Sequence, residues 1–333
     1  MKRILLINTG GTISSSPSGS GLVPALSSAN LLEQIPEVKR LCDAQAMSLM
    51  SVDSTNMQPE HWAVLAQAVR AGLKQYDGIV VAHGTDTMAY TAAALSFMLG
   101  SLDKPVVLTG SQQPIGSAGG DSRRNLLDAF AAACGDIAGV LVAFHGKVMK
   151  GCRVTKVRSK SFDAFESVNY PDLGYIRDGR LERNPAAPAP GGMKPLPYSD
   201  RLAPEVFLLK LVPGIKPDIL EAIRQLGYKG VVIEGFGLGG VPNREQGLVT
   251  AIERLIGAGI CVAVTTQCLY EGSDLTVYEV GRSALAAGAI PGYDMTTEAL
   301  VAKLMWAIGQ SSEIGTVKGI MGTNVADEMT IPD

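Results

Sequence analysis

Histidine is nearly missing from this 333-residue chain, which carries only His61, His83 and His145. No H-E-x-x-H spacing and no carboxylate–histidine cluster accompanies them, so a catalytic metal is not expected and hydrolytic chemistry would need other bases. The five cysteines, Cys42, Cys134, Cys152, Cys261 and Cys268, are odd in number and show neither C-x-x-C nor paired metal spacing. Such thiols suit a reducing cytoplasm. Charge of one sign is also lacking: a net charge of −3 gives no footprint for nucleic acid or an anionic membrane. No apolar run approaches the roughly 20 residues that cross a bilayer. The start, Met1-Lys2-Arg3 followed by Ile4 to Ile7, is too short for a signal peptide and lacks a small-residue cleavage site, so it reads as a first strand.

With 46% hydrophobic residues, the chain has enough length and apolar content for two globular domains. The most informative stretch is Ile79-Val80-Val81-Ala82-His83-Gly84-Thr85-Asp86-Thr87. Its apolar run suits a strand buried on both faces, Gly84 permits a sharp turn, and Met88 to Leu99 is alanine-rich enough for a following helix. Thr85 and Asp86 are therefore expected at a helix N-terminus, where free N–H groups favour negative charge. The plain alternative is that one of them caps the helix.

The pattern repeats along the chain. Arg3 to Asn8 ends in Thr9-Gly10-Gly11-Thr12-Ile13, and Ala46 to Val52 ends in Asp53-Ser54-Thr55-Asn56 before a helix opened by Pro59 and Glu60. Pro105 to Thr109 leads to Gly110-Ser111-Gln112-Gln113 and a helix whose expected cap is Asp121, and Gly139 to Ala143 gives one more strand. Carboxyl ends of parallel strands share one edge of a sheet, so hydroxyls at Thr12, at Ser54 with Thr55, and at Thr85 can meet around a small ligand. Ser14 to Gly21 lacks apolar periodicity and reads as a mobile loop of the kind that serves as a lid. A threonine hydroxyl stays inert until a base takes its proton, and with histidine scarce the candidates are lysine, tyrosine or carboxylate.

Pro185 to Pro197 sustains neither a helix nor a central strand and marks a linker. Strands at Val206 to Leu211, Gly230 to Ile233 and Cys261 to Thr265 then alternate with helices at Pro217 to Leu226, at Arg244 to Ile256 and from Thr297. Gly235 to Gly240 fits G-x-G-x-x-G after a strand, but Pro242 delays the helix and the next strand ends in Thr265-Thr266-Gln267 without an acid, which argues against dinucleotide binding.

Thr9-Gly10-Gly11-Thr12-Ile13 and His83-Gly84-Thr85-Asp86-Thr87 resemble the two signature motifs of the bacterial-type L-asparaginase family, and the absence of a signal peptide resembles its cytoplasmic, type I branch. Val154-Thr155-Lys156-Val157, Phe162-Asp163-Ala164-Phe165 and Thr265-Thr266-Gln267-Cys268 extend the resemblance over nearly the whole chain. It implies an α/β protein with a larger, mostly parallel-sheet, flavodoxin-like N-terminal domain (1–184), a linker (185–204) and a smaller α/β domain (205–333). It further implies hydrolysis of L-asparagine to L-aspartate and ammonia through a threonine acyl-enzyme, with no cofactor or metal, in a homodimer or homotetramer.

Matched position by position, Thr12 stands at the primary nucleophile, and Thr85, Lys156 and Asp86 at the second catalytic group. Gly11, Ser54, Thr55 and Gly84 match substrate-holding positions, Asp86 the partner of the substrate ammonium, and Ser111 a position near the side-chain amide. The family's lid tyrosine has no counterpart, since the matching place holds Leu22 and no tyrosine precedes Tyr76. Lid serines, or Tyr270 and Glu271, are the candidates to relay the proton instead. Two other readings compete: the asparaginase-like subunit of a tRNA-dependent amidotransferase, which carries an additional N-terminal domain whereas the first motif here begins at Thr9, and a non-catalytic amino-acid-binding regulator.

Overall fold

Every residue of Gly78–Ala82 and of Pro105–Thr109 is buried, the mark of parallel strands covered by helices on both faces. In the computed structural model, which describes residues 1–18, 21–24, 27–188, 195–244 and 247–331 (for 16–18 and 21–24 the backbone alone), the chain divides into two compact units, Met1–Asp200 and Arg201–Asp333. Among the described residues of the first unit the order is β1 (Arg3–Gly10), β2 (Ser15–Ser18), β3 (Gly21–Pro24), α1 (Ser28–Glu33), β4 (Asp43–Val52), α2 (Pro59–Leu73), β5 (Gly78–Ala82), α3 (Met88–Met98), β6 (Pro105–Thr109), α4 (Ser122–Ala133) and β7 (Gly139–Phe144). Short strands follow: β8 (Lys147–Lys150), β9 (Val154–Lys156), β10 (Phe165–Ser167), β11 (Gly174–Arg177) and β12 (Arg180–Arg183).

The main sheet runs β12-β11-β8-β7-β6-β5-β1-β4. From β4 to β7 its strands are parallel, and the extension through β8, β11 and β12 is antiparallel. Counted in chain order, the parallel strands lie 2-1-3-4-5, the flavodoxin-like arrangement, whose direction of winding reverses between β1 and β5. A crevice at the carboxyl ends of those two strands is where such a fold takes its ligand. Ile4, Leu6, Val80, Val107, Leu126 and Phe130 are the centre of the core on one face of this sheet.

Three local expectations change. α3 begins at Met88 with Thr87 at its N-cap position, so Thr85 and Asp86 precede the helix in a turn and neither caps it. Ser15–Ser18 pairs antiparallel with Gly21–Pro24, so part of the expected mobile loop is a hairpin; backbone pairing needs no apolar alternation, which is why the pattern did not announce it. The side chain of Leu22, like those of all residues 16–26, lies outside the described residues. The unit boundary falls within 185–204, of which 189–194 are also outside them. The stretch just before it packs onto the first unit, where Ser101 N donates to Leu196 O (2.9 Å) and Arg70 lies over the Tyr198 ring (4.0 Å).

The second unit contains β13 (Val206–Lys210), α5 (Asp218–Gln225), β14 (Gly230–Gly235), α6 (Leu248–Gly257), β15 (Cys261–Thr266), α7 (Glu279–Ala286), β16 (Ile290–Pro291), α8 (Thr297–Gln310) and α9 (Ile314–Met321). Its four strands are parallel in the order β13-β14-β15-β16. The glycine-rich stretch after β14 closes on itself, with Gly240 N donating to Phe236 O (2.7 Å), and opens no helix. An ion pair between Lys303 of α8 and Glu328 is fully buried at 2.5 Å. Lys303 Nζ also donates to Met321 O and Thr323 O (3.0 and 2.7 Å), and Glu328 accepts from the Ala326 N–H (2.7 Å), so both charges are satisfied.

Candidate active site

The ends of β4, β1 and β5 meet in close backbone approach, tied together by short side chains. Gly11, at a φ of +79°, is pressed on Gly84 so closely that a Cβ on it would lie 2.3 Å from the Gly84 Cα and N. A Cβ on Gly84 would in turn lie 2.5 Å from Ser54 Oγ. Glycine is required at both places by contact, and at Gly11 by conformation as well. Gly11 N donates to Val52 O (3.1 Å), Asp86 N to Ser54 Oγ (3.2 Å) and Thr87 Oγ1 to Ser54 O (2.8 Å), which stitches the three strand ends together.

Four of the expected residues form one connected group. Lys156, delivered by the β9–β10 hairpin, donates from Nζ to Thr85 Oγ1 (2.8 Å) and to Asp86 Oδ1 (2.6 Å). Thr55 Oγ1 touches Asp86 Oδ2 at 3.5 Å. Thr85 and Ser54 are buried, whereas Asp86 keeps 59% of its side chain exposed, an open carboxylate beside a shielded hydroxyl and amine. Thr12 follows directly on Gly11 in a short 3-10 turn, half-buried, and its hydroxyl has no partner among the described residues. The Thr85 N–H likewise finds no acceptor among them. Ser111 is buried and its hydroxyl donates to Gln113 O (2.5 Å).

His83 supplies a constraint that the sequence did not assign. Its ring is fully buried between Thr91 and the Gly84 carbonyl, with contacts of 3.0 and 2.7 Å. Trp62 Nε1 can only donate, and it does so to Thr91 Oγ1 (3.0 Å). The Thr91 proton then goes to His83 Nε2, which leaves Nδ1–H to donate to Gly84 O; this tautomer is assigned from the network. Burial pushes the imidazole down to about 4 despite the opposing bond to Gly84, so the ring is neutral at pH 7. Because the peptide is planar, holding the Gly84 carbonyl also aims the Thr85 N–H in the opposite direction.

Gln112 and Asp121 are two further residues that were not singled out for the site. Gln112 Oε1 accepts from Thr85 Oγ1 (3.4 Å), while its Nε2 donates to Ser161 O (3.1 Å) in the loop after Lys156. It therefore spans the hydroxyl and the segment that carries the amine. Asp121 sits at the N-cap position of α4 but makes no capping bond. Its carboxylate accepts instead from the N–H groups of Gln112 (2.9 Å) and Gln113 (3.1 Å) and from Asn125 Nδ2 (3.1 Å). The expected cap is a clamp on the Gln112 loop, which a carboxylate at a helix start can form equally well. The polar strand end Ser111-Gln112-Gln113 was the only sequence signal for it.

Tyr270 and Glu271 belong to the second unit, in the loop after β15, where both are exposed and Glu271 has a φ of +72°. Among the described residues no group of three or more His, Cys, Asp or Glu side chains is placed to hold a metal ion, and no helix is long and apolar enough to cross a membrane.

Residues 3–188 match the family described as asparaginase, N-terminal, and residues 205–321 match the glutaminase/asparaginase C-terminal domain. The chain is similar to the L-asparaginase of Thermococcus kodakarensis, at 43% identity over 331 residues that cover 98% of this chain and 99% of that one. The solved structure of the thermostable L-asparaginase from that organism aligns with a TM-score of 0.91 at 40% identity, covering 99% of this chain and all of the other. A glutamyl-tRNA(Gln) amidotransferase subunit of Pyrococcus abyssi is 37% identical over 341 residues, covering 99% of this chain and 77% of that one. A probable cytoplasmic L-asparaginase from Campylobacter jejuni has a structure with a TM-score of 0.83 at 27% identity, covering 96% of this chain and 99% of its own.

Proposed function

The chain belongs to the asparaginase family, and from that premise we propose that it hydrolyses L-asparagine to L-aspartate and ammonia through an acyl-enzyme on Thr12. The observation that carries this reading is the contact of Lys156 Nζ with both Thr85 Oγ1 and Asp86 Oδ1 at the end of β5, the strand beside β1, whose own end presents Thr12. Thr12 Oγ1 attacks the side-chain amide carbon, its proton leaves with the amine as ammonia, and water then splits the β-aspartyl ester. Thr85, held between Lys156 and Gln112, carries protons to and from that centre.

Substrate recognition follows from opposite charges at fixed places. The open carboxylate of Asp86 takes the α-ammonium. The Ser54 hydroxyl and the Thr85 N–H, together with Thr55 and the close-packed Gly11 and Gly84, receive the α-carboxylate, and Ser111 supports the side-chain amide from the end of β6. Similarity to the Campylobacter protein supports a cytoplasmic location, and a homodimer or homotetramer belongs to the same reading. The higher identity to an L-asparaginase than to the amidotransferase subunit favours free asparagine over a tRNA-bound substrate.

The test is ammonia release from L-asparagine by the intact chain and by Thr12→Ala, Thr85→Ala and Lys156→Met. Each variant is expected to fold and to lose turnover by about 10²-fold or more, and rapid quenching of the parent should trap an aspartyl adduct on Thr12. Full turnover by the Thr12 variant, or an adduct elsewhere, removes the assignment.

A further inference from the structure

Cys42 ends the short turn that feeds β4, and Cys134 occupies the C-cap of α4. Cys42 is buried in the main core of the first unit, and the half-buried Cys134 packs against the same core. Lys2 binds the two neighbourhoods to each other: its carbonyl accepts from Asp43 N (3.0 Å) and its ammonium donates to Gly135 O (2.7 Å). Cys134 Sγ points at the carbonyl of Leu41, 3.8 Å away and one residue before Cys42. Both cysteines are free thiols. Neither residue is part of the candidate active site, since β4 and α4 reach it with their opposite ends, at Val52 and Asp121.

We propose that Cys42 and Cys134 are a thiol pair that closes to a disulfide on meeting a low-molecular-weight disulfide such as oxidised glutathione, and that the bond fastens strand β4, at the edge of the sheet, to α4. Contact with Cys42 holds the Cys134 thiol below its ordinary range, against burial and with help from the Lys2 ammonium. The same contact, with burial, pushes Cys42 up. Cys134, half-buried where Cys42 is buried, is the sulfur that a reagent reaches first, and its thiolate is the nucleophile. Its sulfur attacks one sulfur of the oxidised glutathione, the S–S bond breaks, and one glutathione leaves. Cys42 then gives up its proton and attacks Cys134 Sγ in the mixed disulfide, expelling the second glutathione. Two protein thiols are oxidised, one small disulfide is reduced to two thiols, and the two protons end on glutathione. Among the described residues β4 has a sheet partner on one side only, β1, so a covalent tie at its start removes freedom from the strand that carries Ser54 and Thr55 beyond its far end.

The experiment uses the full chain incubated with oxidised glutathione or with dithiothreitol. Oxidation is expected to lower the mass by about 2 Da for the two hydrogens lost, to reduce the thiols titrated under denaturing conditions from five to three, and to give a non-reduced peptide map that joins Cys42 to Cys134. It should also raise the melting temperature by about 5 °C or more, since a long loop is closed. Cys134→Ser and Cys134→Ala should each abolish the mass change and the added stability, and Cys152→Ser should leave both in place. Five thiols remaining, a mixed disulfide that stops at Cys134, or a link between other cysteines would each overturn the proposal. Neither outcome depends on amide hydrolysis, so the pair and the proposed activity stand or fall separately.

Discussion

Gly11 and Gly84 leave no room for a methyl group between them: a Cβ on Gly11 would sit 2.3 Å from two backbone atoms of Gly84, and Gly11 already has a φ of +79°. Gly11→Ala therefore has to force the ends of β1 and β5 apart. We expect a folded protein less stable by about 1–3 kcal/mol with little turnover, because Thr12 is the next residue and moves with the displaced backbone. Thermal unfolding together with ammonia release checks this, and parental activity in Gly11→Ala would show that the close approach is dispensable.

His83 gives the stability of the first unit a definite acid limit. Above pH 6.5 the ring is neutral in the folded and unfolded chain alike; below it the unfolded chain takes up a proton that the folded chain refuses until about pH 4. Stability is thus lost as pH falls through that window, by about 3 kcal/mol in total. His83→Gln should be less stable than the parent at pH 7, having lost a buried hydrogen-bonding ring, yet should lose less on going to pH 4.5. Denaturant titrations at the two pH values measure the difference, and equal losses in both proteins would mean that His83 titrates normally.

Lys303 and Glu328 test a buried charge against its absence. Lys303→Met leaves the Glu328 carboxylate buried without its cation and should cost about 3–5 kcal/mol. Lys303→Met combined with Glu328→Leu removes both charges and should recover most of that loss. Calorimetric melting of the two proteins decides it; a double variant no better than the single one would mean that the pair contributes little beyond the volume it fills.

The proton route opposite Thr12 is open to a direct comparison. If Tyr270 or Glu271 relays the proton, Tyr270→Phe or Glu271→Gln lowers kcat by about 10²-fold or more, and Leu22→Tyr changes little. If nothing replaces the phenol, the first two substitutions do little and Leu22→Tyr raises kcat. Unchanged kcat in both Tyr270→Phe and Glu271→Gln is the result that ends the relay.

The parallel half of the main sheet was legible because it is written in short range: apolar runs such as Gly78–Ala82 end in glycine and hydroxyl residues within a few positions. The helix from Met88 was legible as well, as an alanine-rich apolar run, but the position of its cap was not: Thr87, and neither Thr85 nor Asp86, stands at the N-cap. The Thr87 hydroxyl donates to the distant Ser54 carbonyl, a partner that no local pattern encodes. Asp121 illustrates a different limit. A carboxylate before a helix has local amides on both sides, and only the fold decides that it takes those of Gln112 and Gln113. The setting of His83 depends on Trp62 of α2 and Thr91 of α3, side chains whose meeting no local pattern encodes. Lys156 was found through resemblance to a family, since a lysine on a hairpin otherwise reads as solvated charge.

The same lysine sets the order in which the first unit can acquire its chemistry. Thr12, Ser54 and Thr85 come from the first three strands of the parallel array, which a growing chain completes early. Lys156 comes from a hairpin that follows the whole parallel array, and it joins residues some seventy positions behind it. Contacts of such sequence separation carry a high loop-closure cost and form late. On the roles proposed above, a nascent or refolding chain holds its hydroxyls in place while it is still chemically silent, and amide cleavage waits for β9 and β10 to dock.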